Sequence, residues 1–325
     1  MKMFQYIRVM EQRAAVQSVA KDVKARFIAG GTNLLDLMKR GVMKPEKLVD
    51  INRLPLKNIQ ANNGGIQIEA LALNSAVAEN KSVVKDYPLL SMALNAGASA
   101  QLRNMATVGG NLMQRTRCPY FYDTAMPCNK REPGTGCGAL EGFNRMHAIF
   151  GASDKCIAVN PSDMSVALAA LDARVHLSGT TGVRQIPLLE FHRLPGEHPE
   201  LDTVLKQDEL ITGISIPANP FREHVAYLKI RDRASYAFAL VSVAAALHLD
   251  GKKIKQARLA MGGVAHKPWR LKEVERFLEN KEATEQVFGQ AATLAMKGAI
   301  AYKYNQFKLK LAPNSIVQAL IQAAG

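Results

Sequence analysis

No run of this 325-residue sequence stays apolar for the roughly 18 to 20 residues that a membrane-spanning helix needs. The longest candidate, Ala237 to Leu249, is interrupted by Ser242 and His248. The start, Met1 to Glu11, has neither an apolar signal core nor a twin arginine, so the chain on its own is expected to stay where it is made. His147, His192, His198 and His266 form no HxxxH or HExxH spacing and are read as core or surface side chains rather than ligands. No Ser-His-Asp set and no paired carboxylates can be recognised, so nothing suggests hydrolysis. Acidic residues are few beside basic ones, 28 against 42, which leaves a formal charge of +14. The Lys and Arg are scattered, however, with no basic block interleaved with aromatics. Nucleic acid is therefore set aside for a solvated basic surface or one that docks on an acidic partner. Internal repeats and low-complexity segments are also absent.

What is present is a chain that is 48% hydrophobic, enough to bury substantial cores in two or three domains. Its organising stretch is Arg26-Phe27-Ile28-Ala29-Gly30-Gly31-Thr32-Asn33-Leu34-Leu35-Asp36. A short apolar run breaks at two glycines, and Asn33 to Arg40 then carries Leu34, Leu37 and Met38 on one helical face. Strand, glycine turn and helix start suggest a pyrophosphate cradle, because glycine allows close backbone approach and free N–H groups attract phosphate. The pattern is neither GxGxxG nor GxxxxGK[ST], and a plain turn explains it about as well. A second turn, Thr107-Val108-Gly109-Gly110-Asn111-Leu112, changes the balance, since two such turns could hold one diphosphate from both sides.

Along the chain, Lys47 to Ile51 reads as a strand closing a small α/β lobe by about Leu56. Ile59, the Asn62-Asn63-Gly64-Gly65 turn and Ile66 to Ala70 read as a hairpin opening a second lobe. Asn74 or Ser75 is expected to cap a helix, and Pro88 to Ala96 to form another. Gln114 to Gly138 has almost no periodicity, and a loop of that length is uncommon without a function. A helix is expected over Ser162 to Ala173 with Met164, Leu168 and Leu171 inward, then strands to Ile216, with Pro217 and Pro220 marking a boundary. The last part predicts strands at Val225–Arg231, Ala237–Leu249 and Lys255–Met261, with Asp250-Gly251 as a turn. Helices are expected at about Trp269–Glu279, Thr284–Ala301 and Asn314–Ala323, in all an antiparallel sheet covered by helices.

Cys118, Cys128, Cys137 and Cys156 fall within 39 residues. Three of them sit in Pro- and Gly-rich loop rather than on an apolar face. Disulfides, zinc without the usual CxxC pairs, packing thiols and an iron-sulfur cluster all remain open on spacing alone.

AGGTNLLD at Ala29 to Asp36 and LRNMATVGGNL at Leu102 to Leu112 resemble the flavin loops of the FAD-binding subunits of the xanthine dehydrogenase and molybdenum hydroxylase family. NPSDM at Asn160 to Met164, YLKIRDRASYAFALVSVAAAL at Tyr227 to Leu247 and GGVAHKPWR at Gly262 to Arg270 extend the resemblance over nearly the whole chain. It implies an α+β fold: a two-lobed FAD-binding domain of the vanillyl-alcohol-oxidase or PCMH-like type, then an α+β C-terminal domain. The expected limits are 1–56, 57–220 with an insertion loop at 114–157, and 221–325. It implies FAD contacts at Arg26, Phe27, Ile28, Ala29, Gly30, Gly31, Thr32, Asn33, Leu34, Ala98, Thr107, Gly110, Asn111, Asp163, Leu210 and Lys229. Asp163 is expected to accept from flavin hydroxyls, although a helix-dipole role would look the same in sequence. Leu210 is expected to pack on the ring and Lys229 to lie near it.

QRTRCPYFYDTAMPCNKREPGTGC resembles the insertion of the bacterial aldehyde oxidoreductase branch, which implies a 4Fe-4S cluster on Cys118, Cys128, Cys137 and Cys156. The implied function is electron transfer from a partner's clusters through FAD to an external acceptor. The implied partners are a molybdenum-cofactor large subunit and a small subunit with two 2Fe-2S clusters, together a heterotrimer. The branch implies the periplasm, reached as passenger of a partner with an export signal, with the cytoplasm as alternative. An aryl-CoA reductase flavin subunit, and a scaffold that has lost flavin, are the competing readings.

Overall fold

The computed structural model describes residues 1–325, and three sheets divide the chain. The first is parallel, in the order β1 (Gln5–Arg8), β3 (Lys47–Asp50), β2 (Ala25–Ile28). The helix Gln12–Ala20 packs Ala15, Val16 and Val19 with Ala25, Val49 and Ile51 in a small core. Neither β1 nor this helix is anticipated from the sequence. β1 is an edge strand with little burial, and Glu11, at the cap position of the helix, makes no side-chain cap to mark it.

The second sheet is antiparallel and contains β4 (Ile59–Asn62), β5 (Gly65–Glu69), β6 (Arg174–Gly179), β7 (Gly182–Pro187) and β8 (Leu210–Pro217), in the order β4-β5-β8-β6-β7. The helix Pro88–Ala96 has the expected bounds, with proline at its first position and Gly97 after its last. Asn74 does not cap its helix but opens it, with Leu73 at the cap position. The helix Asp163–Ala170 is capped by Ser162, whose Oγ accepts from the Ser165 N–H at 3.0 Å. Every residue from Met164 to Ala170 is buried, because the helix lies between the third sheet and the helix Pro88–Ala96.

The third sheet is antiparallel, in the order β12 (Trp269–Arg270), β11 (Lys253–Gly262), β10 (Val241–Asp250), β9 (Val225–Ile230). Its central strand reads as a continuous small apolar run because both faces are covered. Val241, Val243, Ala245 and Leu247 face a C-terminal core with the helix Lys308–Ala324, whereas Ala244 and Ala246 face the central core. That last helix starts earlier than its proline suggests. Lys308 is fully buried and donates from Nζ to the carbonyls of His147 and Gly263 at 2.9 and 2.7 Å, and the helix runs on through Pro313. The strand expected from Ala237 begins only at Val241, which leaves Ala237 and Phe238 in a loop. No helix is long and apolar enough to cross a membrane.

Candidate functional site

A cavity of about 1120 Å³ opens between the first two sheets and is overhung by the loop that joins β9 to β10. All the expected cofactor contacts from Arg26 to Leu34 line it, as do Ala98, Thr107, Gly110, Asn111, Asp163 and Leu210. Lys229 does not. It sits behind Asp163, only 4% exposed, and donates to Asp163 Oδ2 at 2.8 Å and to the Ala96 carbonyl at 3.0 Å.

β2 delivers the first glycine turn, and the turn is an open one. Gly31 has φ +71°, a conformation that favours glycine, and Leu35 N–H bonds back to the Gly31 carbonyl. The N–H groups of Gly30, Gly31, Thr32, Asn33 and Leu34 have no acceptor within the chain. The Asn33 side chain accepts from Arg115 N–H at 2.9 Å, while its buried Nδ2 has no partner. Most backbone donors of a folded chain are paired within it, so a row of unmatched ones lining a half-buried cavity suits an acceptor-rich group.

The second turn is closed. Val108 and Gly109 N–H donate to the carbonyls of Ala72 and Ala70 at 3.0 and 2.8 Å, and Gly110 N–H donates to Thr107 Oγ1 at 3.2 Å. Asn111 Oδ1 is likewise held, by Gln114 and by the Ser162 hydroxyl, both at 2.7 Å. Gly109 is needed for packing, since a Cβ there would lie 3.1 Å from Ala70 Cβ.

The electrostatics favour an anion near the first turn. Arg26 and Arg117 line the cavity with no carboxylate partner, and burial lowers the pKa of both. Arg26 is held by the carbonyls of Val23 and Ala25, and the Arg117 guanidinium lies 5.0 Å from the Phe238 ring centroid. Ala98 is one of four non-glycine residues at positive φ, +51°, and Arg103 steadies that turn by donating to the Gly97 carbonyl at 2.8 Å.

Sequence reasoning missed Arg115, Asp202, Tyr227 and the Tyr236–Phe238 edge. Arg115 Nε donates to Asp202 Oδ2 at 2.6 Å, and Lys130, 1% exposed, bonds the other oxygen. These two cations hold the Asp202 carboxyl well below the usual carboxylate range despite its burial. Arg115 in QRTRC, and Tyr227 and Tyr236 to Phe238 in YLKIRDRASYAFAL, lie within quoted segments that could have signalled them, whereas Asp202 lies in a stretch without a motif.

The four cysteines do not form the expected cluster site. No group of three or more His, Cys, Asp or Glu side chains is placed to hold a metal ion, and no disulfide forms. Cys128 and Cys137 stand opposite each other in an isolated antiparallel bridge. Cys118 Sγ is 3.1 Å from His147 Nε2, with its pKa pushed up to about 12 by burial, and the neighbouring Cys156 thiol lowers the pKa of Cys137. The 4Fe-4S assignment of Cys118, Cys128, Cys137 and Cys156 is therefore withdrawn, and with it the iron-sulfur and metal-binding roles.

The loop is held instead by packing and hydrogen bonds of its own. Phe121, fully buried, packs with Cys128 against Leu37 of the first lobe. Asn129 Oδ1 accepts from Gly134 and Gly136 N–H at 3.1 and 2.9 Å, and Arg131 donates to the carbonyls of Tyr120, Phe121 and Met126. Hydrogen bonds from a charged group such as the Arg131 guanidinium are worth about 1.5–3 kcal/mol each, and they add to the packing of Phe121 in holding the loop against the fold.

Residues 2–219 match the model of the FAD binding domain in molybdopterin dehydrogenase. The chain belongs to this family of FAD-binding medium subunits. Residues 226–320 match the CO dehydrogenase flavoprotein C-terminal domain. The chain is 48% identical to the aldehyde oxidoreductase FAD-binding subunit PaoB of Escherichia coli strain K12, over 99% of each chain. It is 29% identical to the glyceraldehyde dehydrogenase medium chain of Sulfolobus acidocaldarius, over 89% of this chain and 86% of that one. Among solved structures, quinoline 2-oxidoreductase from Pseudomonas putida 86 superposes with a TM-score of 0.77 at 25% identity, covering 100% of this chain and 98% of that chain.

The flavin subunit thus has the two-lobed FAD-binding domain followed by an α+β domain that its sequence leads one to expect. It is an oxidoreductase subunit of a kind that works in multi-subunit assemblies. The cavity fits FAD: unmatched N–H groups and two guanidinium groups without carboxylate partners suit a diphosphate, and the apolar walls at Phe27, Ile28 and Leu210 suit a ring system.

Proposed function

We propose that this chain binds one non-covalent FAD in the large cavity and serves as the electron-transfer subunit of a molybdenum-dependent aldehyde oxidoreductase. The observation that carries the reading is the row of unmatched N–H groups from Gly30 to Leu34, open to the cavity beside Arg26. In this reading Gly30 to Leu34 hold the diphosphate, with Thr107, Gly110 and Asn111 across from them. Ala98 and Asp163 take the polyol, Leu210 borders the ring, and Lys229 acts through Asp163. When bound, FAD supplies the redox chemistry, taking electrons from a partner's 2Fe-2S clusters and passing them to an external acceptor. The chain's own part is to bind, orient and shield.

The aldehyde reading and the partners rest on the similarity to the aldehyde oxidoreductase subunit. They are a molybdenum-cofactor large subunit and a 2Fe-2S small subunit, forming a heterotrimer, which we place in the periplasm. Three lobes at 1–56, 57–220 and 221–325 are the working division of the chain.

Gly31→Val tests the site. A β-branched side chain at φ +71° is strained and fills the approach, so the purified variant should lack the flavin absorbance of the wild type. Undiminished flavin content would refute the placement. An absorbance spectrum of the natively purified complex with molybdenum and iron analysis tests the partners, and cell fractionation tests the compartment.

A further inference from the structure

Tyr227 and Lys229 lie two residues apart on β9, and so on one face of the third sheet, and Ser242 of β10 stands in register with Lys229. That face carries Tyr227 and Lys229 to Asp163, the first residue of the helix Asp163–Ala170, with Ser242 beside Tyr227. The Tyr227 hydroxyl donates to Asp163 Oδ1 at 2.8 Å, and Lys229 Nζ donates to Oδ2 at 2.8 Å. Ser242 Oγ lies 3.1 Å from the Tyr227 oxygen. A phenol has one proton, and burial keeps it on the oxygen by raising the Tyr227 pKa well above its ordinary value. With that proton directed at the Asp163 carboxylate, the serine hydroxyl donates to the Tyr227 oxygen, giving the ordered chain Ser242, Tyr227, Asp163, Lys229.

We propose that Tyr227 is a positioning residue, which fixes the Asp163 carboxylate so that its remaining acceptor sites face the polyol chain of the bound flavin nucleotide. This rests on the FAD placement proposed above. A carboxylate has about four acceptor sites, and Tyr227 and Lys229 occupy one on each oxygen. Lys229 also balances the negative charge, so what Asp163 presents to the cavity is a pair of fixed acceptors suited to hydroxyl donors. Lys229 alone would not set this geometry, because its ammonium is shared with the Ala96 carbonyl. The phenol, held by its ring and by Ser242, defines the rotation of the carboxylate.

Tyr227→Phe keeps the ring and removes the hydroxyl. FAD affinity of the apo-protein, read by quenching of flavin fluorescence, should weaken about tenfold, with the apo melting temperature changed by only a few degrees. In an Asp163→Asn background the same substitution should add no further loss, because there is no longer a carboxylate to orient. Ser242→Ala, which only loosens the phenol, should weaken binding about two- to threefold. Unchanged affinity in Tyr227→Phe, or an equal loss in the Asp163→Asn background, would overturn the role. If Tyr227→Phe proves insoluble, unchanged affinity in Ser242→Ala would overturn it. Should Gly31→Val still bind FAD normally, the proposal falls with the placement. If Gly31→Val loses FAD and Tyr227→Phe does not, only the role of Tyr227 falls.

Discussion

The two glycine turns look alike in sequence, each a Gly-Gly pair with Thr and Asn close by, yet their backbone donors have opposite fates. At Gly30 to Leu34 the N–H groups find no acceptor in the chain, whereas at Val108 to Gly110 each one is bonded to Ala72, Ala70 or Thr107. The difference lies in the neighbours. The second turn runs beside the chain at Ala70 to Ala72, which offers carbonyls, while the first turn projects past the end of β2 into the cavity. A glycine turn is a phosphate cradle only where nothing in the fold answers its donors.

The largest effect is expected where a side chain would drive the first turn off its support. A Cβ on Gly30 would lie 1.8 Å from the Met105 carbonyl oxygen, so Gly30→Ala must move backbone that joins the two lobes. A loss of about 3 kcal/mol of stability together with FAD binding should follow, measurable by urea unfolding and flavin content. Gly31→Val separates the two effects. Only the flexible end of Leu35, 3.0 Å from a Cβ there, needs to give, so stability should fall by about 1–2 kcal/mol while FAD affinity falls at least about a hundredfold.

At the closed turn the order reverses. Gly110→Ala would crowd Thr107 Oγ1 at 3.0 Å and Thr107→Val removes the cap, each costing about 1 kcal/mol of stability, with FAD affinity expected to change less than tenfold. Losses of affinity as large as that of Gly31→Val would erase the contrast between the turns.

The smallest effect is one of pH. Arg115 bonds Asn33 at the open turn and is itself tied to Asp202, whose pKa is lowered by Lys130 and Arg115. A depressed carboxylate contributes stability that is full above its unfolded pKa, near about 4, and is lost as pH falls through its folded value. The Asp202 contribution to FAD retention should therefore be flat from about pH 8 to 5 and fall only in stronger acid. Asp202→Asn should show weaker retention already at neutral pH.

Much of this was legible in the sequence wherever the signal is local. The helix Pro88–Ala96 is bounded by its own proline and glycine, the hairpin at Asn62 to Gly65 by its turn residues, and the flavin loops by motifs. The state of the donors was not legible, because it depends on carbonyls at Ala70 and Ala72 that no pattern near Gly109 announces. The cysteine loop misled for the same reason. Its support comes from Leu37, Pro199 and Asp202, all distant in sequence, so nothing in the loop itself shows what holds it. The strand that carries Lys229 is legible in the sequence, but the direction of its ammonium is set by Asp163 across the interior.

Amide hydrogen exchange of the apo-protein, followed by titration with FAD, tests the central contrast most directly. The amides of Gly31 to Leu34 should exchange fast without FAD and become strongly protected with it, whereas those of Val108 to Gly110 should be protected throughout and change little. Equal protection of the two turns in the apo-protein, or a response to FAD confined to Val108 to Gly110, would contradict the account.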